Sequence, residues 1–202
     1  MELPTNLDTS NVINFSNTFY NCVSLEKMPI INCSSATNMY RAFYNCNSLR
    51  EIEVNNTTSC TSFRETFTSC AVIRKIRGIN TLNSTTCQSM FQNCYELWYL
   101  PTLDLTNCTT TSSMFSGTRW LTKNLSINNT GNVTNMSSMF AVSGIYNPPM
   151  MDTSSVTTMS SMFSGTFNIK TVPLYDTSNV TSMNQMFYSS SIEVIPLFDI
   201  TN

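Results

Sequence analysis

The side chains in this sequence that can do chemistry are eight cysteines, twelve Asp and Glu residues, and a large supply of Ser, Thr and Asn hydroxyls and amides. Histidine is absent. Without it, neither a Ser-His-Asp nor a Cys-His pair can form. Zinc sites usually show two cysteines separated by two to four residues, and no such pair occurs here. The closest paired acids, Glu51 and Glu53, fall beside Lys and Arg positions and not in an expected cleft. Only five of 202 residues are glycine, and no Gly-rich phosphate loop is present. These absences point to a protein that is not an enzyme and uses no cofactor or metal.

The cysteines carry a spacing signal instead. Cys22, Cys46, Cys70 and Cys94 follow one another at intervals of 24. Each stands three residues after a Phe, and Thr118, Ser143, Thr166 and Ser190 hold the same place later in the chain. Every occupant is small and slightly polar, which suits a tight turn that admits only a small side chain. Buried free thiols are therefore expected. Stacked neighbours about 5 Å apart would lie within the Cα range of a disulfide, so bridges are the alternative, although parallel Cβ vectors suit them poorly. Cys60, Cys87 and Cys108 take places filled elsewhere by Val or Met and read as small core residues; Cys33 falls at a turn position. The carboxylates Asp8, Asp104, Asp152 and Asp176 also recur in phase, and Asp199 repeats the place once more. A Ca²⁺ ladder would need charged oxygen ligands at each step. Asn32, Asn56, Asn80 and Asn129 fill the same position, so a turn or capping ladder is the expected role.

The elements that must position these residues are copies of one unit. Phe19, Phe43, Phe67, Phe91, Phe115, Phe140, Phe163 and Phe187 recur at a spacing of 24, with a single 25 and a single 23 that cancel. The segment Asp176-Thr-Ser-Asn-Val-Thr-Ser-Met-Asn-Gln-Met-Phe187 has near-copies ending at Phe163 and Phe140. A period in this range marks a repeat architecture. Residues 1–202 are read as one domain of eight coils, with a partial ninth at 195–202. Seven, four and one residues before the Phe come apolar side chains such as Val180, Met183 and Met186. That spacing predicts one face of a short helical turn. After the Phe, Leu49-x-x-Ile52-x-Val54 and its relatives end in the alternation of a short strand. Stacked coils would set eight such strands side by side in parallel, about 40 Å of sheet at the usual strand spacing. Proline near the strand ends keeps them short. The expected fold is an α/β repeat solenoid, leucine-rich-repeat-like, with short parallel strands on one face and short helical turns on the other.

Composition narrows the partners. Charged residues are 11% of the chain and net charge is −2, with no basic stripe of the kind that marks a nucleic-acid binder. No apolar run approaches the roughly 20 residues of a membrane span. The start, Met-Glu-Leu-Pro-Thr-Asn-Leu, lacks the features of a signal peptide. Neither end reads as the polar cap a solenoid normally carries, so the sequence reads as a piece of a longer ladder, with end-to-end or homo-oligomeric contacts as possible consequences.

The outward strand positions, eight and ten residues after the Phe, carry Lys27, Glu51, Glu53, Lys75, Arg77, Tyr99 and Lys123. With Arg74 these suggest a basic patch, but Glu51 and Glu53 fall in register with Lys75 and Arg77, so cross-strand pairing accounts for them equally. Trp98, Tyr99 and Trp120 are bulky residues at places that do not repeat. Trp and Tyr are favoured at binding hot spots. The candidate ligand-binding set is Trp98, Tyr99, Trp120, Arg74, Lys75 and Arg77, with edge packing as the competing role for the aromatics.

The run Ala42-Phe-Tyr-Asn-Cys-Asn-Ser-Leu49 resembles the BspA-like leucine-rich repeats, and the Asp-Thr-Ser-Asn-Val-Thr-x-Met segments resemble the variant found in mycoplasma lipoprotein-type surface proteins and in gut bacteria and their phages. The similarity runs over residues 3–198 and departs from the family in lacking the Cys three residues after the Phe in coils five to eight. The resemblance implies a surface-exposed adhesion or binding module recognising protein or glycan. The alternative is a structural virion component, a tail-fibre or capsid-decorating element on the virion surface whose partners are other virion subunits.

Overall fold

The apolar rows of each repeat can be buried only if the backbone polar groups that go in with them find partners, and the chain meets that demand by bonding each repeat to the next. The computed structural model describes residues 4, 7–121 and 125–198; Lys123 and Asp199 lie outside the described residues. The recurring Phe side chains form a continuous stack. Successive ring centroids from Phe19 to Phe187 are 5.2–5.9 Å apart and the rings are nearly parallel. Around this spine, Leu25, Leu49, Ile73, Leu97, Leu121, Ile145 and Ile169 are buried, as are Cys60, Cys87 and Cys108. One core therefore runs the length of the described chain.

Five short strands carry the sheet structure: β1 (Ile31–Asn32), β2 (Glu51–Asn55), β3 (Lys75–Arg77), β4 (Leu103–Asp104) and β5 (Ile127–Asn128). All pair in parallel, as β1-β2-β3 and separately as β4-β5. The expected single sheet of eight strands is thus not formed among the described residues. Pro29, Pro101, Pro149, Pro173 and Pro196, nine or ten residues after their Phe, donate no ladder bond, whereas the repeats of β2 and β3 carry Glu53 and Arg77 there and pair over three residues. A row of buried threonines ten residues before the Phe in six repeats adds a second kind of link. Thr57, Thr81, Thr130 and Thr153 donate their hydroxyls to the carbonyls of Asn80, Asp104, Asp152 and Asp176 in the following repeat. There the hydroxyl replaces the direct backbone bond. Where Cys33 and Leu105 take the place, their own N–H groups donate to the carbonyls of Asn55 and Asn128, and β1–β2 and β4–β5 extend there. Cys33, read as a turn residue, is fully buried in this row.

The expected helical turns are also absent. Among the described residues the one helix is a three-residue 3₁₀ turn, Thr57–Ser59. In the segment leading into and past each Phe, the backbone alternates. The residue two before the Phe is left-handed in all eight repeats: Asn17, Arg41, Glu65, Ser89, Ser113, Ser138, Ser161 and Gln185. So is the residue two after it: Asn21, Asn45, Ser69, Asn93, Gly117, Val142, Gly165 and Ser189. As a result, N–H groups point alternately inward and onward. In the second repeat, Met39, Arg41, Phe43 and Asn45 donate to Ser62, Arg64, Thr66 and Thr68 of the third. Ala42, Tyr44 and Cys46 donate three residues back within their own repeat. An α-helix would consume its N–H groups internally and leave few for a neighbour. The alternation keeps the inward placement that suggested a helix while bonding the repeats together. Parallel bridges join this row from Asn14 through Ser182, one per repeat.

Candidate binding surface

The positions singled out for chemistry divide into a structural set and a surface set. Asp8, Asp104, Asp152 and Asp176 each accept the backbone N–H two residues on, at 2.9–3.1 Å. Asn32 and Asn80 do the same with their amide oxygens. Hydrogen bonds from Ser10, Ser154 and Ser178 hold the Asp8, Asp152 and Asp176 carboxyls below the usual range. These are turn caps. Among the described residues no group of three or more acids and cysteines is placed to hold a metal ion.

The eight cysteines are free thiols, seven of them buried. Cys46, Cys70 and Cys94 donate to the Phe carbonyl of the preceding repeat, at 2.9–3.1 Å. Thr118, Thr166 and Ser190, in the same place, donate to the Phe carbonyl of their own repeat. Burial pushes the Cys33 thiol up to about 11 and Cys60 up to about 12. Such thiols are poor nucleophiles near neutral pH, because the thiolate is the reactive form. Asn83, Asn132 and Asn179, each eight residues before its Phe, are likewise structural: each amide donates to a carbonyl of the preceding repeat, Thr58, Thr106 or Ser154.

On the strand face, β2 and β3 pair with Glu51 opposite Lys75 and Glu53 opposite Arg77. The two cations nevertheless both reach Glu51, Lys75 at 3.6 Å and Arg77 diagonally at 3.2 Å. The charges expected to form a basic patch are thus partnered. A pocket of about 630 Å³ lies beside them, lined by Glu26, Lys27, Asn47, Arg50 and Glu51 among others. It has no aromatic wall.

The aromatic residues assemble elsewhere. Trp98 and Trp120, the two tryptophans of the chain, line one shallow pocket of about 330 Å³ together with Arg74 and Glu96. Three successive repeats contribute. Trp98 is 49% exposed and Trp120 66%. The backbone N–H groups of Trp98 and Tyr99 both donate to the Arg74 carbonyl, which fixes the pocket to the strand face. Tyr99 stands edge-on to Trp98 at 6.1 Å, and the Lys75 ammonium lies 5.1 Å from the Trp98 ring centre. Arg74 Nε bonds Glu96 Oε2 at 2.8 Å across the pocket. The structure therefore brings Arg74, Trp98 and Trp120 together, uses Lys75 and Tyr99 to brace Trp98, and directs Arg77 away to Glu51. Glu96 is the member that sequence reasoning missed. Its signal was available: it lies 22 residues after Arg74, so stacking brings it to the adjacent repeat.

The family model described as Mycoplasma protein of unknown function, DUF285, matches residues 3–99 and again residues 85–194. The chain belongs to the DUF285 family. The first match spans four of the recurring Phe residues and the second five, so this DUF285 chain is a tandem repeat protein. No curated protein matches it. Among the described residues no helix of the DUF285 chain is long and apolar enough to cross a membrane.

Proposed function

We propose that this chain is a leucine-rich-repeat-type solenoid of the BspA-like kind, serving as a non-enzymatic binding or adhesion module on a cell surface. The observation that carries the reading is the convergence of both tryptophans on one pocket with the Arg74–Glu96 pair. The rows of Ser, Thr and Asn that recur from repeat to repeat offer little to distinguish one ligand from another. Exposed Trp beside Arg is the combination enriched in binding hot spots. Repeat proteins use extended surfaces of this kind for recognition. The partner would be a surface protein or glycan. The test is adhesion of the fluorescently labelled chain to fixed epithelial and bacterial cells, read by flow cytometry. The Trp98→Ala/Trp120→Ala double variant is expected to lose binding by at least about tenfold, an energy of about 1.4 kcal/mol, with an unchanged melting temperature. Unchanged adhesion would sink the site.

A second reading rests on the thiols. Eight unpaired cysteines suit a protein assembled in a reducing compartment, as a tail-fibre or capsid-decorating part of a virion would be. Thiol titration of the unfolded, unreduced protein separates the two: eight thiols favour intracellular assembly, and few favour export.

A further inference from the structure

Resting on the binding reading, we infer that the Trp98–Trp120 pocket recognises a neutral saccharide. The pocket holds one cation and one anion, and they are bonded to each other at 2.8 Å. It therefore offers no net charge to an ionic ligand. The two side chains are still 48% and 36% exposed, so their remaining hydrogen-bonding capacity faces solvent. A guanidinium has five N–H donors and a carboxylate about four acceptor sites; one bond between them leaves both donors and acceptors for a ligand. The walls are indole rings, which give flat apolar area at low cost in rotamer freedom. Trp98 is braced by Tyr99 and by the Lys75 ammonium, so its ring is held in place before a ligand arrives.

The complementary ligand is uncharged, has one flat C–H face, and carries a rim of groups that both donate and accept. A pyranose ring has this form. Its hydroxyls can accept from Arg74 and donate to Glu96 while a ring face rests on Trp120. The volume of about 330 Å³ lies at the small end of the range of ligand pockets, about 300–1,000 Å³. An apolar side chain of a protein partner fits less well, because seating it would bury the Arg74–Glu96 pair and incur the desolvation cost of both ions. An acidic or basic peptide would have to compete with one member of the pair for the other.

The experiment presents the full chain with a panel of neutral gluco-, manno-, galacto- and xylo-tetrasaccharides, and with tetragalacturonate as an acidic counterpart. Tryptophan fluorescence and saturation-transfer NMR report binding. At least one neutral tetrasaccharide is expected to bind at millimolar concentration or below, more tightly than tetragalacturonate. Trp120→Ala should weaken that binding by about tenfold. Glu96→Gln, which frees Arg74, should shift preference toward tetragalacturonate while leaving the melting temperature unchanged. Absence of binding to every neutral tetrasaccharide overturns the inference, as does binding that Trp120→Ala leaves intact. If the panel fails while the tryptophan double variant still loses cell adhesion, the binding reading stands and the saccharide assignment falls. If adhesion is unaffected as well, both fall.

Discussion

Two glutamines one position apart in the repeat frame should respond in opposite directions to the same substitution. Gln185 lies two residues before its Phe with φ 56°. It is exposed, so its side chain contributes little burial. Gln88 lies three residues before its Phe, outside the left-handed rows. A non-glycine residue held left-handed costs about 1–2 kcal/mol. Glycine removes that cost but adds about 0.5–1 kcal/mol of unfolded-state entropy. Gln185→Gly should therefore stabilise its repeat by about 0.5–1 kcal/mol, whereas Gln88→Gly adds the entropic cost to the loss of a half-buried side chain and should destabilise by about that amount or more. The eighth repeat is bonded to the seventh through the N–H groups of Ser161, Phe163 and Gly165, which donate to Asn184, Met186 and Tyr188. Native-state hydrogen exchange at those three amides reads the effect locally. Protection should rise roughly two- to fivefold in Gln185→Gly, at 1.4 kcal/mol per factor of ten. A fall in protection, parallel to the loss expected for Gln88→Gly, would refute the alternating-backbone account.

The Phe stack and the caps give further tests. Phe91 is fully buried between Phe67 and Phe115, so Phe91→Ala should cost about 3–5 kcal/mol in urea denaturation, and a loss below about 1 kcal/mol would deny the stack its role. Asp152 and Asp176 have carboxyls held below their ordinary range by Ser154 and Ser178, so their contribution is present above about pH 4 and is lost as pH falls through the lowered values. Asp152→Asn/Asp176→Asn should keep the turns, since Asn32 and Asn80 cap in the same way, and should flatten the acid limb of a melting-temperature profile. An unchanged acid limb would remove these carboxylates from the acid response.

The DUF285 membership and the proposed saccharide pocket concern different parts of the molecule. The repeat unit that defines the family is consumed by stacking: its Asp or Asn caps, its Thr hydroxyl bridges and its Phe fills the spine. The residues left for recognition are those that break the pattern, as Trp98 and Trp120 do.

The sequence by itself determined the repeat, its register and the burial of its apolar rows, because a 24-residue period repeated eight times leaves one consistent alignment and apolar rows must face inward; the buried row of threonines and Cys33 was not read from it. It also determined that Asp8, Asp104, Asp152 and Asp176 cap turns, since Asn replaces Asp freely there. It did not determine how the backbone runs between those points. Helical spacing and a chain of overlapping turns with alternate left-handed residues bury the same side chains, and only the bonds to the neighbouring repeat separate them. Asn, Ser and Gly two residues after the Phe hinted at left-handed geometry; Arg41, Glu65 and Gln185 on the other row did not. The strands were over-counted because prolines nine or ten residues after the Phe interrupt the ladder in five repeats, and because a buried Thr hydroxyl can stand in for a ladder bond. The pocket was half legible. The two tryptophans stood out by type, but the Arg74–Glu96 partnership depends on where side chains from successive repeats meet, and that is decided by stacking.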